Sequence, residues 1–454
     1  MGGSSLAPLV FSRSFRKASG RPELEVLDST EPESVASVGE LDPARTLYVV
    51  SSKSGTTLEP NIFFDYFFER AGRAGDRFIV ITDPGSALEK EAASRRVRRI
   101  FPGDPKIGGR YSALSHFGLV PAAFFGIDVA ELLARARRMA ELCRRDAPGN
   151  PGALLGAAMA SLQMKGRDKL TFSVGRPVDR FGLWIEQLVA ESTGKEGTGI
   201  LPVDGEPLGV PSDYGSDRFF VRIDAEGKDN AEARKRLAGL GAAGNPTVHY
   251  ELADALDLGA EMFRWEFATA VAGALLGIDA FDQPNVQEAK DRTNEILEGK
   301  SGAASPQSNA QDRAAVRSLL DSIRPGDYFA ITAYVPSTDA NEAALDRTRL
   351  RVREAKKVAT TLGFGPRFLH STGQFHKGGP NTGVFLQITA EAARPLPIPG
   401  RPWGFEKVVE AQAAGDRASL LAHGRRVLSV RLSRDVARGL EDLDRTVAEA
   451  LSSK

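Results

Sequence analysis

Two short hydroxyl-rich turns are the stretches of this chain whose residue types most directly suggest chemistry. Ser51 to Thr57 reads SSKSGTT, five hydroxyl residues around one Lys and one Gly, directly after the apolar run TLYVV. After a parallel strand the chain turns at the carboxyl edge of its sheet, where open α/β sheets bind ligands. The next helix, expected to begin between Thr57 and Asn61, aims its free N–H groups at that turn and favours an anion. Ser51, Ser52, Ser54, Thr56 and Thr57 can donate O–H bonds, Gly55 allows close backbone approach, and Lys53 adds charge. The set suits a phosphate monoester. It is not a Walker A loop, because the G-x-x-x-x-G-K order is absent; the competing reading is a Ser/Thr-rich turn that only caps a helix. GGSSLAP, Gly2 to Pro8, is a second small hydroxyl-rich turn that opens a helix, and Ser4 or Ser5 could donate to the same anion.

The elements that must hold these turns alternate strand and helix. TLYVV, then NIFFDYFFERAGRAG, then RFIVIT read as βαβ units of a parallel sheet. The middle third starts again with ALLGAAMASLQMKG, KLTFSVG, FGLWIEQLVAESTGK, FFVRI and a long apolar helix from Gly259 to Gly277. DYFAITAYV, GVFLQIT and RVLSVRL predict a smaller α/β module at the end, and linkers are expected at 146–152 and 298–311. Lys+Arg and Asp+Glu balance at 59 each, which argues against a broad basic field for nucleic acid or a membrane surface. The one cysteine, Cys143, excludes an internal disulfide framework and a multi-Cys metal site and fits a reducing cytosol. No run of about 18 apolar residues suggests a membrane span. MGGSSLAPLVF lacks the basic start of a signal peptide and opens mid-motif, so a truncated start, with a strand missing ahead of Gly2, is expected.

GGSSLAP, SSKSGTT, GGRYSALS, EQLVAESTGKEGTGI and FDQPNVQEAK, in this order from Gly2 to Lys290, resemble phosphoglucose isomerase (glucose-6-phosphate isomerase). The tail LHSTGQFHKGGPNTGVFLQIT resembles the C-terminal part of bifunctional transaldolase/phosphoglucose isomerases, whose N-terminal barrel has no counterpart here. The resemblance implies an α/β fold of two SIS-type doubly wound parallel-sheet domains plus a smaller C-terminal α/β module. The first SIS domain would span 1–150, the second, carrying a catalytic Glu, 151–300, and the module 301–454. It also implies a cytoplasmic, homodimeric enzyme that interconverts glucose 6-phosphate and fructose 6-phosphate with neither cofactor nor metal. Its partner would be a small sugar phosphate. The alternative is a non-catalytic SIS-type sugar-phosphate-binding protein, or an inactive fragment of a bifunctional enzyme.

Such an isomerisation needs an acid/base to open the ring, a base to carry a proton between C2 and C1, and positive charge near the enediolate. Glu191 is the expected base. It lies in the last turn of an apolar-periodic helix with Gly194 as its cap, facing the negative dipole end that makes a carboxylate a better proton acceptor. Gln187 is one turn earlier on the same face and matches the family's substrate-contacting glutamine, whereas Glu186 points about 100° away and is expected to be structural. Arg110 follows Gly108 and Gly109, which let it approach a ligand closely; the resemblance makes Arg110 the group that stabilises enediolate charge. Gln283 and Lys290, almost two turns apart with Pro284 at a first helical position, share a helix face. In the resembled family the Gln contacts substrate and the Lys helps with ring opening. Ser4, Ser52, Lys53, Ser54, Thr57 and Gly109 complete the expected substrate and phosphate contacts. The family's ring-opening histidine falls at His249 by position, with His370 and His376 as rivals, and His116 is expected to pack inside a helix. No two histidines share a short spacing with a third ligand, which argues against a metal site.

Overall fold

Short apolar runs that stay buried at consecutive positions, such as Phe78–Thr82, form strands covered on both faces, the usual condition of a parallel sheet. A computed structural model describes residues 2–146, 148–225, 230–300 and 308–452. Among them, twelve strands pair in parallel to form three sheets. The first contains β1 (Tyr48–Ser51), β2 (Phe78–Thr82) and β3 (Arg99–Pro102), in that order. The second contains β4 (Lys169–Val174), β5 (Leu201–Val203), β6 (Arg218–Ala225) and β7 (Thr247–Leu252), ordered β5-β4-β6-β7. The third contains β8 (Ser308–Asn309), β9 (Tyr328–Tyr334), β10 (Ala359–Phe364), β11 (Gly383–Ala390) and β12 (Arg426–Leu432), ordered β10-β9-β11-β12-β8.

The sheets share cores rather than standing apart. Leu6, Val10 and Phe11 of the first helix pack with Phe172 of β4, with Trp184 and Leu188, and with Trp265 of the long apolar helix. That burial binds the N-terminal helix to the second sheet. Phe405 and Val408, from the helix Phe405–Ala422 of the C-terminal third, enter the aromatic core of the first sheet beside Phe64 and Phe78. Tyr328, Phe375 and Phe385 bury Leu201 and Val203 of the second. Each such side chain contributes roughly 1.5–3 kcal/mol by leaving water. The C-terminal third therefore wraps the elements that carry the expected site.

Several local expectations change. Asn150, expected in a linker, is 5% exposed and caps the Pro151–Met164 helix by accepting from Ala153 N–H; residue 147 lies outside the described residues. Of the second expected linker, 301–307 lies outside them, while Ser308–Asn309 adds β8 to the third sheet by pairing with β12. His116 is an exposed first residue of the His116–Phe125 helix, its Nδ1 2.7 Å from Pro102 O, and does not pack in the core. Among the described residues no helix is long and apolar enough to cross a membrane.

Candidate functional site

The sequence FGLWIEQLVAEST combines apolar residues at helical spacing with a late carboxylate, and it forms the buried helix Phe181–Thr193. Glu191 is 8% exposed. Gln187 Nε2 donates to Glu191 Oε2 at 3.0 Å and to the His370 carbonyl at 2.7 Å. Arg110 is 3% exposed, and its Nη1 lies 3.5 Å from Glu191 Oε1. Its fork is held rigidly: Nε donates to Ser192 Oγ at 2.7 Å, Nη1 to Gln283 Oε1 at 2.8 Å, and Nη2 to the carbonyls of Ala280 and Asp282. Gln283 precedes the Pro284–Leu297 helix, with Pro284 at its first position. The turn Gly2–Ser4 rests against Gly109–Tyr111, the Phe181 helix and the Arg367–His370 turn. Glu191, Arg110, Gln187, Gln283, Gly109 and the turn bearing Ser4 thus come together from four parts of the chain.

The hydroxyl-rich turn joins this cluster through a residue that sequence reasoning missed. Thr57 ends the turn at the N-cap of the Leu58–Arg70 helix, without a side-chain capping bond. Two residues on, Glu59 lies 3.2 Å from His370 Nε2 and accepts from Gln412 Nε2 at 2.8 Å. Burial alone would raise the Glu59 carboxyl, yet the adjacent His370 overrides it and holds the group down at about 2. An ionised Glu59 offers only acceptors, so His370 donates from Nε2. Thr57, Glu59, His370, Gln187 and Glu191 make one run of neighbours from the turn to the carboxylate. A Glu so soon after SSKSGTT was the available signal; its partner, in the Arg367–His370 turn after β10, left no local trace.

Within the turn the side chains divide. Ser51 and Ser52 Oγ are buried without a hydrogen-bond partner among the described residues, while Ser54 Oγ lies 3.0 Å from Thr56 Oγ1. Gly55 has φ +69°, and a Cβ there would come within 2.8 Å of Leu88 N, so its freedom serves the fit against the neighbouring helix. Lys53 Nζ is held by Asp83 Oδ2 at 2.6 Å and by Asp104 O at 2.8 Å. Its charge is thereby engaged inside the loop. Lys290 sits on the helix that Gln283 precedes, and its side chain makes no hydrogen bond or ion pair among the described residues.

His249 stands elsewhere. It lies on β7, the strand at the far edge of the second sheet from β5, with its Nε2 3.0 Å from Asp224 Oδ2. Asp224 also binds Arg222 and Arg234. Arg222 and Asp224 alternate with Val221 and Ile223, which face the core into which the Phe181 helix packs. His249 is therefore on the other face of the sheet, and the structure does not bring it to Glu191. His376 is also occupied, with Nδ1 2.9 Å from Tyr328 OH in the interior. His370 is the histidine that lies beside Gln187.

Buried carboxyls outside the cluster differ in charge state. Burial, reinforced by Asp204, pushes Glu186 up to about 8, and burial pushes Asp204 up to about 6 against the pull of Arg349. Glu186 accepts from Ser371 Oγ at 3.2 Å.

Parallel sheets joined by helices, with a buried carboxylate beside a fixed guanidinium, place the chain among the α/β isomerases. The family model for phosphoglucose isomerase matches residues 1–200. A glucose-6-phosphate isomerase of Rubrobacter xylanophilus is 30% identical over 344 residues, 64% of this chain and 79% of that one. A probable glucose-6-phosphate isomerase of Haloarcula marismortui is 26% identical, covering 72% of this chain and 81% of its own. A glucose-6-phosphate isomerase structure from Chlamydia trachomatis shares the fold at TM-score 0.52 and 22% identity, over 66% of this chain and 68% of that one. The chain belongs to the phosphoglucose isomerase family.

Proposed function

We propose that this chain interconverts glucose 6-phosphate and fructose 6-phosphate through an enediolate, with Glu191 as the base. Glu191 takes the proton from C2 of the open aldose; the C–H electron pair becomes the C1–C2 double bond, and the carbonyl pair moves onto O1. The same carboxyl returns the proton to C1, and transfer of the O2 proton to O1 leaves the ketone at C2. Proton and electron pair both stay with the sugar, so the step needs no redox cofactor. Arg110 stabilises the enediolate charge with a guanidinium already oriented by its other bonds, which avoids reorganisation during the reaction. The observation that carries this reading is the pairing of Glu191 Oε1 with Arg110 Nη1 at 3.5 Å between Gln187 and Gln283.

His370, oriented by Glu59, opens the ring from its Nδ1 in place of His249. Lys290 adds charge from the Pro284 helix. Ser4, Ser52, Ser54 and Thr57 cradle the phosphate, a role supported by the unpartnered Ser52 hydroxyl and the helix N-terminus at Thr57. The reaction would serve glycolysis and gluconeogenesis in the cytoplasm. Exposed Leu275 and Phe281, at 50% and 62%, support a homodimer.

Glu191→Gln tests the reading. Turnover of glucose 6-phosphate in a coupled assay should fall by about 10³-fold, within the range for a lost general base. Affinity for an unreactive sugar-phosphate acid should hardly change. Normal turnover in this variant removes the assigned base.

A further inference from the structure

The Pro284–Leu297 helix starts without help from its own N-cap. Gln283 occupies that position but makes no side-chain capping bond, because its Oε1 accepts from Arg110. The first-turn N–H groups of a helix have no intrahelical acceptor, and here one of them is met from outside the helix. The acceptor comes from the C-terminal third. Gln374 is fully buried, and its Oε1 accepts from Asn285 N–H at 2.9 Å. The Nε2 of the same carboxamide donates to Asn285 Oδ1 at 2.8 Å and to the Gly194 carbonyl at 2.9 Å. Gly194 is the C-cap of the helix that carries Glu191. One planar group therefore ties the end of the Glu191 helix to the beginning of the Gln283 helix.

The surroundings keep a place for this carboxamide. A Cβ on Gly378 would lie 2.7 Å from Gln374 Nε2, 2.5 Å from Asn285 Oδ1 and 2.8 Å from the Gly194 carbonyl. A side chain there would meet all three partners.

We infer that Gln374 is a positioning residue for the isomerase: it caps the Pro284 helix in place of Gln283, leaving the Gln283 side chain to fix Arg110 beside Glu191. The inference rests on the function proposed above. By it, Gln374 never touches the sugar and acts only through Gln283 and the spacing of the two helix ends.

Gln374→Met is close in size and removes both hydrogen-bonding roles. We expect kcat to fall by roughly 10- to 100-fold, the scale of an ångström-level misplacement, with KM changed far less. The discriminating step is a double-mutant cycle with Gln283→Ala. If Gln374 works through Gln283, adding Gln374→Met to Gln283→Ala should cost little more, because the coupled part is already lost. Multiplying losses would mark ordinary packing and overturn the inference, as would an unchanged kcat in Gln374→Met. Gly378→Ala, which crowds the carboxamide without deleting it, should repeat the pattern and serves if Gln374→Met does not fold.

Hydrogen exchange at the Asn285 amide reads the cap without any turnover. It should quicken in Gln374→Met, and unchanged protection overturns the cap. A wild-type chain that does not turn over glucose 6-phosphate, while this amide still responds, would sink the proposed function and the catalytic consequence but leave the cap standing.

Discussion

His370 presents Nε2 to Glu59 at 3.2 Å, whereas His249 presents its own to Asp224 at 3.0 Å on the far face of the second sheet. Both are imidazoles against carboxylates, so distance to the partner does not separate them; what lies around the pair does. Asp224 is already saturated by Arg222 and Arg234, while the Glu59–His370 pair adjoins Gln187 through the His370 carbonyl. His370→Ala should therefore lower isomerisation of the cyclic sugar by about 10²-fold, the scale of a lost acid/base group. His249→Ala should stay close to wild type in the same assay. The opposite ranking of the two variants would reassign ring opening to His249. Glu191, Arg110, Gln187 and Gln283 were picked out by motifs that resemble the family's, and the structure brings their side chains together. The histidine was not legible, since Glu59 and His370 lie in separate sheets' connections and only folding brings them together.

Whole elements were readable where apolar residues recur over a long enough run. RVLSVRL is β12 residue for residue, and the helix expected from Gly259 to Gly277 spans Leu258–Leu276. β3 and β5, of four and three residues, gave too short a run to rise above loop composition. The Phe181 helix also carries a consequence that its sequence hides. Glu186 is buried beside Asp204, and its folded value stands at about 8 against 4.5 for the ordinary side chain. A raised carboxyl binds its proton more tightly when folded. Its contribution is fully present below about pH 4.5 and is lost as pH rises through about 8. Between pH 6 and pH 9 this costs roughly 2–3 kcal/mol of stability, at about 1.4 kcal/mol per unit. Glu186→Gln keeps a neutral side chain at every pH and should flatten that slope. Melting temperatures of both proteins at pH 6 and pH 9 provide the check: equal losses in the two would remove Glu186 from the account.

At the scale of the molecule, the question is what covers the apolar surface near the site. Residues 267–276 of the long helix carry no charge, and Leu275 near its end is 50% exposed. Just beyond, Phe281 is 62% exposed and packs its ring 5.2 Å from that of Tyr111. It lies between Ala280 and Asp282, whose carbonyls receive the Arg110 Nη2 donor. A second copy seated on Leu275 and Phe281 would bury apolar area and stiffen the segment that orients the guanidinium. Association and catalysis are then linked, because mass action favours whichever state the partner binds. The wild-type chain should sediment as a dimer at micromolar concentration, and its specific activity should fall on dilution below the dissociation constant. Leu275→Glu with Phe281→Ser should sediment as a monomer, with lowered activity that no longer depends on protein concentration. A wild-type monomer of full, concentration-independent activity would mean that Arg110 is held by its own chain alone, and that this apolar patch has no part in the reaction.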